Sequence, residues 1–371
     1  MARMEILDTG LIYRGTPAEP AGLHCQFPTL VALSDRHFVA AFTVGSSEES
    51  LDVHPMLARS TDGGGTWKVE GPIGKYTGSR PASADCRISR APDGTLIGFG
   101  TLLYRHGDDP HIVNPQTMGY VPMDLTLYRS FDEGRTWVGP RIIDAPLKGT
   151  SFEMCCPILA LPDGRWLAPT STWPGWEGHS PVGWKAIALV SHDGGQSWPA
   201  YVEVINDDAA GIIYWEQKLI HLEGGRLLSV AWTVERSTGR DRPVSYVLSE
   251  DAGRTFSRPR STGLFGQTTT PVYLGSGRLA CLYRRTDQPG LWLALSRIEG
   301  SEWINEAQFP IWGAPYLENQ KGAADFTEVF AQLRFGFPQA QVLSNGDLFM
   351  VFWCHENGLN NIRWYRLRVE P

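Results

Sequence analysis

One octapeptide recurs along the chain with Ser, Asp, Gly and an aromatic residue at relative positions 0, 2, 4 and 7. The clear copies are Ser60-Asp62-Gly64-Trp67, Ser130-Asp132-Gly134-Trp137, Ser191-Asp193-Gly195-Trp198 and Ser249-Asp251-Gly253-Phe256. A fifth, Ser296-Ile298-Gly300-Trp303, keeps the frame but loses the carboxylate. Such a pattern suits a hairpin turn. A short Asp accepts backbone N–H bonds across the loop, Gly takes a left-handed conformation, and the aromatic pins the hairpin to its neighbour. Because the same Asp repeats on every unit, it is expected to be scaffold rather than catalytic or calcium-binding.

A second signal interleaves with the first: two apolar strands joined by a glycine turn, at Ala91-Pro92-Asp93-Gly94, Leu161-Pro162-Asp163-Gly164, Leu222-Glu223-Gly224-Gly225, Leu274-Gly275-Ser276-Gly277 and Leu343-Ser344-Asn345-Gly346. Leu33-Ser34-Asp35-Arg36 is a degenerate sixth copy. Each unit therefore reads strand, glycine turn, strand, variable loop, strand, octapeptide turn, strand. Units of four antiparallel strands at a period of about 50–70 residues describe propeller blades. The expected fold is all-β, a six-bladed β-propeller spanning residues 1–371 as a single domain. The last unit lacks a fourth strand, which Ile6 to Tyr13 would supply, closing the ring.

Composition narrows the partners. The 371 residues carry 33 Lys and Arg against 40 Asp and Glu, a net charge of −7, which disfavours nucleic acid. The longest apolar runs, such as Leu348 to Cys354, are far shorter than the roughly 20 residues of a membrane-spanning helix. The first ten residues lack the apolar stretch of a secretory signal, so a cytoplasmic location is expected unless a signal has been trimmed. Cys25, Cys86, Cys155, Cys156, Cys281 and Cys354 show no C-x-x-C spacing and read as buried free thiols. His355-Glu356 lacks a second His at helical spacing, so neither a catalytic metal nor another cofactor is expected.

The octapeptide resembles the Asp-box of the sialidase superfamily, and the six units are similar to its six-bladed propeller. Sialidases share an Arg-Ile-Pro in the first blade followed by an acid Asp, a Glu on a later inner strand, two further Arg residues and a late Tyr nucleophile. Here the first slot reads Gln26-Phe27-Pro28, and the second Arg would fall near Ala231-Trp232-Thr233. The Tyr slot reads Phe335-Gly336-Phe337-Pro338-Gln339, while Glu216 in Trp215-Glu216-Gln217-Lys218 matches the sialidase Glu. A sialic acid carboxylate held by three Arg residues needs those charges together, so the resemblance implies the fold and a carbohydrate substrate rather than sialidase activity.

Topology locates the site. Both kinds of turn lie on one face, so the starts of the inner strands and the loops between second and third strands converge on the other. Nine residues before the glycine turns stand Asp85, Cys155 and Glu216, with Glu153 two residues earlier on the same side of its strand. Paired carboxylates are what glycoside hydrolysis needs. Glu153 and Glu216 are the leading pair, with Asp85 as a third candidate. The pair also resembles the two catalytic Glu residues of the exo-arabinanase family. The structural alternative is that each carboxylate serves backbone or an Arg, as Asp85 would with Arg87.

Loops on this face carry Tyr104-Arg105-His106, Asp108-Asp109, Trp173, Trp176, His179, Trp184-Lys185 and Arg284-Arg285. Sugar faces pack on Trp, and sugar hydroxyls suit Arg, His and carboxylates. The expected substrate-binding residues are accordingly Arg87, His24, Gln26, His106, Trp176, Lys185, Trp215, Arg284, Arg285 and Gln339. Three functions fit: an exo-acting glycosidase using Glu153 and Glu216; a uronate lyase in which Arg87, Arg284 or Arg285 neutralises the carboxylate and His24 or a Tyr abstracts a proton; and a sugar-binding propeller without chemistry. An oligosaccharide or glycoside is the expected partner in each.

Overall fold

A computed structural model describes residues 2–17, 23–107, 111–313 and 333–370. Six antiparallel sheets follow one another along the chain, each built from strands consecutive in sequence except the last. The first strand of each is innermost: His24–Ala32, Ala82–Arg90, Ser151–Glu153, Ile212–His221, Gly266–Gly275 and Phe335–Val342. These strands touch those of neighbouring blades around a ring. In blade three the inner strand is interrupted. Ser151–Glu153 and Leu159–Ala160 both pair with Trp166–Trp173, and the stretch between them contains Pro157, which cannot donate to a ladder.

Blade six is completed from the other end of the chain. Arg3–Arg14 pairs antiparallel with Leu359–Glu370, outside Leu348–Glu356 and Phe335–Val342. The strand expected over Ile6 to Tyr13 thus closes the ring.

The octapeptide turns share one hydrogen-bond set. In blade one, Ser60 Oγ donates to Asp62 Oδ1 at 2.8 Å and accepts from Gly64 N at 2.9 Å, while Asp62 accepts from the Thr66 N–H and hydroxyl. Ser130, Ser191 and Ser249 repeat the pattern with their own Asp and Gly. Hydroxyl and backbone donors, Thr66 and Thr136 foremost, hold Asp62 and Asp132 down to about 2. Gly253 shows why this position is glycine: its φ is +79°, and a Cβ there would lie 2.8 Å from both Leu167 and Leu227. In the fifth turn Asn305 replaces the missing Asp, accepting from Ser296 Oγ and Trp303 Nε1 at 2.8 Å each.

The core lies between blades. Phe38, Phe42, Phe349, Val351 and Trp364 join blades one and six, and Ile97, Phe99, Leu127, Ala168 and Leu189 join blades two and three. All six cysteines are free thiols, and only Cys155 is not buried. Among the described residues no helix is long and apolar enough to cross a membrane, and no group of three or more His, Cys, Asp or Glu side chains is set to hold a metal ion.

Candidate functional site

Four inner strands break their ladder at the same level. Register shifts fall between Gln26 and Thr29, Trp215 and Lys218, Gln267 and Thr270, and Gly336 and Gln339. Inside each bulge a non-glycine residue takes the left-handed region: Phe27 (φ +53°), Glu216 (+50°), Thr268 (+51°) and Phe337 (+51°). Such a conformation costs about 1–3 kcal/mol and clusters at functional sites. The four residues belong to blades one, four, five and six, so the bulges ring the axis.

Glu153 and Glu216 meet on neighbouring blades. Glu153 Oε2 accepts the Glu216 backbone N–H at 3.0 Å, and its Oε1 accepts from the Cys155 thiol at 2.6 Å. Glu216 Oε2 accepts the Thr268 N–H at 2.6 Å, and its Oε1 accepts no hydrogen bond from the described residues. Burial raises both carboxyls. The charge of Glu216 raises Glu153 further, whereas the Arg284 and Lys218 cations pull Glu216 back toward ionisation. Asp85 is engaged: Oδ1 accepts the Thr101 N–H and hydroxyl at 2.8 Å each, and Oδ2 lies 3.3 Å from Arg87. Its partners are thus Arg87 and Thr101.

Two cations of the inner strands lie on aromatic faces. The Arg87 guanidinium, 2 % exposed, sits 5.0 Å from the Phe27 ring and 4.8 Å from Phe337. The Lys218 ammonium lies 4.0 Å from the same Phe337 ring and donates to the Cys155 carbonyl. Arg87 Nε and Nη1 find no hydrogen-bond partner among the described residues; ring faces take that place. Gln339 is buried further along its strand.

Two residues not anticipated from the sequence complete the centre. Glu48, in the loop between the second and third strands of blade one, lies beside the Gln26 amide. Burial, and after it the charge of Glu49, pushes Glu48 up to about 7 against the pull of Gln26 and Arg284. Tyr120 comes from the corresponding loop of blade two. Burial, then the nearby Glu153, Cys155, Asp85 and Glu216, raises its hydroxyl well above the ordinary value, so it remains a donor. The position of Tyr120 is fixed by interlocked loops. Its N–H donates to Pro174 O at 3.0 Å, Trp173 Nε1 donates to Met118 O at 2.7 Å, and Asn114 and Thr117 both reach Trp176 O.

The remaining expected residues divide. Arg284 lies not in a loop but at the end of strand Arg278–Arg285, buried against Gln267 and the Phe335 carbonyl. His24, at an inner-strand start, is lowered to about 4 by burial and by His355, and so is neutral. His106, exposed, stacks on the half-buried Trp176 at 4.9 Å with Glu177 3.8 Å away. Three residues turn elsewhere. Lys185 pairs with Glu203 on the outer strand of its blade, and Arg285 binds Asp287 at 2.6 Å over the Trp292 ring. Trp215 packs between blades, 4.4 Å from Trp173 and 4.8 Å from Trp232, because neighbouring residues on a strand face opposite sides and Glu216 takes the axis. Trp184 packs on Trp173 at 4.5 Å. Asp108 and Asp109 lie outside the described residues.

Comparison with known proteins places this arrangement. A structure of unknown function from Dyadobacter fermentans matches with a TM-score of 0.73 at 17% identity, covering 99% of both chains. The Penicillium chrysogenum alpha-L-arabinanase complexed with arabinobiose matches at 0.67 and 16% identity, covering 98% of both. The NanB sialidase from Streptococcus pneumoniae matches at 0.65 and 14% identity, over 97% of this chain and 70% of that one. At such identities the likeness is one of fold. No curated protein matches the chain. The family described as BNR repeat-like domain matches residues 36–350, most of the sequence, and with six blades closed into a sialidase-like propeller, the chain belongs to that family.

Proposed function

We propose that the protein is an exo-acting glycoside hydrolase for a neutral oligosaccharide, with residues 1–371 acting as one catalytic unit. The observation that carries this reading is the contact between Glu153 and Glu216 at the propeller axis. Two carboxyls of unlike environment at one centre can divide the work of acid and of nucleophile or base. Glu216, drawn toward ionisation by Arg284 and Lys218, suits the carboxylate that acts as nucleophile or base, and Glu153, raised further by the Glu216 charge, suits the acid. Tyr120 supplies a neutral donor to a sugar hydroxyl, and Trp176 with His106 supplies a stacking rim.

A neutral sugar is favoured because four of the described cations are held by protein groups. Arg284, Arg285 and Lys218 donate to protein acceptors, and Arg87 is covered by two rings beside Asp85. This speaks against the uronate lyase, which needs a cation facing the substrate carboxylate. The arabinobiose bound to the Penicillium arabinanase makes arabino-oligosaccharides a reasonable first probe. A second reading gives the proton to Glu48, pushed up to about 7 on the same face, and leaves Glu216 as the carboxylate.

A glycan panel with product analysis tests the proposal. Hydrolysis adds water and yields a reducing sugar, whereas elimination leaves an unsaturated sugar absorbing in the ultraviolet. Loss of turnover in Glu153→Gln but not Glu48→Gln supports the first reading, and the reverse supports the second. Unsaturated products, or binding without turnover across the panel, would reject both.

A further inference from the structure

Arg284 has the residue type of a substrate ligand and the geometry of something else. Its Nε and Nη2 donate to Gln267 Oε1 at 2.9 and 2.7 Å, and its Nη1 donates to the Phe335 carbonyl at 2.9 Å. One guanidinium thus ties the inner strand of blade five to that of blade six, and the residue is only 6 % exposed. Gly336 makes the cradle possible, because a Cβ there would stand 2.5 Å from Nη1. The side chain has no freedom to follow a ligand. Gln267, which takes two of those bonds, adjoins Thr268, whose N–H donates to Glu216 Oε2 at 2.6 Å, so the cation is held one residue from the Glu216 contact; its charge acts on Glu216 from blade four, Glu48 from the loop of blade one and Asp241 from blade four. Asp241 is itself occupied, accepting from Trp232 Nε1 at 2.7 Å.

We propose that Arg284 is a positioning residue: a fixed internal counter-charge that holds both Glu216 and Glu48 toward the carboxylate form, without touching the sugar. The proposal rests on the glycosidase reading above. A buried charge held by neutral acceptors keeps its field where a bidentate carboxylate partner would quench it. Glu216 and Glu48 therefore feel the same cation from two sides of the pocket.

Carbon-13 titration of Glu carboxyls, assigned with Glu216→Gln and Glu48→Gln, reads the effect without any glycan. In Arg284→Met or Arg284→Gln the midpoints of Glu216 and Glu48 should both rise by about 1 pH unit or more, and in Arg284→Lys they should stay close to wild type. On the glycan found by the product screen, the acid limb of kcat/KM should move with the midpoints while KM changes by less than about threefold. Midpoints unmoved in the neutral variants would overturn the proposal. So would a KM raised about tenfold in Arg284→Lys with midpoints in place, the signature of a substrate ligand. Arg284→Lys decides between contact and field even where the neutral variants do not fold. Retained turnover in Glu216→Gln would instead strike the glycosidase reading and leave the titration result standing.

Discussion

Replacing Glu48 by Gln should make stability at alkaline pH rise relative to wild type, and the size follows from the carboxyl's surroundings. Burial moves its titration from an ordinary 4.5 to about 7. A raised carboxyl contributes stability that is fully present below 4.5 and lost as pH climbs through 7. At about 1.4 kcal/mol per pH unit this is about 2.5 kcal/mol between pH 5 and pH 8, and about 2 kcal/mol after allowing for the partly open side chain. His24 works in the opposite sense. Lowered from 6.5 to about 4, it contributes stability present above 6.5 and lost as pH falls through 4, again about 2 kcal/mol over the same range. The two slopes nearly cancel in wild type, so the signal lies in the difference between proteins. Urea unfolding of wild type and Glu48→Gln at both pH values cancels the lost Gln26 contact, which is common to both measurements. The variant's stability relative to wild type should improve by about 2 kcal/mol from pH 5 to pH 8. A difference that stays constant across that range would show that Glu48 titrates as an ordinary surface carboxyl, and the reasoning would fail.

Glu216→Gln and Glu153→Gln should each lower turnover by about a thousandfold or more while leaving the fold intact, checked by kinetics beside circular dichroism. Simple sialosides and their fluorogenic analogues should not be hydrolysed at a useful rate, because Gln26, Ala231 and Phe337 stand where a sialidase carries Arg, Arg and Tyr; efficient release of sialic acid would contradict this. Ser130→Ala removes the acceptor of the buried Gly134 N–H and should cost about 1–3 kcal/mol with kcat unchanged in the folded fraction. Asp132→Ala and Asp193→Ala should likewise lower the melting temperature without altering chemistry, and a stable variant that loses turnover would overturn the scaffold role of those Asp residues.

The propeller was legible because its information is local. Ser, Asp, Gly and Trp at fixed offsets encode a turn, and a turn repeated in register encodes a blade. Even Arg3–Arg14, the strand out of sequence order, could be inferred from the unit left unfinished at the C-terminus. The site was legible only where strand counting applies, which placed Asp85, Cys155 and Glu216 at one level. Glu48 and Tyr120 escaped because they sit in loops whose course no periodicity records. Tyr120 reaches the centre through bonds between two loops 55–62 residues apart in sequence. Lys185, Arg285 and Trp215 are held by contacts that residue type does not announce: pairing with Glu203 and Asp287, and the alternation that sends Trp215 into an inter-blade core.

Closure by Arg3–Arg14 also imposes an order of assembly. On the ribosome this strand emerges before the strands of all the intervening blades, and its partner Leu359–Glu370 only after them. Joining ends so far apart on a flexible chain would cost about 5 kcal/mol in loop entropy. The cost falls once the intervening blades have stacked and curved the ends together. Blade six should therefore form last, with the first strand waiting as an open edge throughout elongation. Arg3, Glu5 and Asp8 along that strand guard the edge during the wait, since charges discourage it from pairing with another nascent chain.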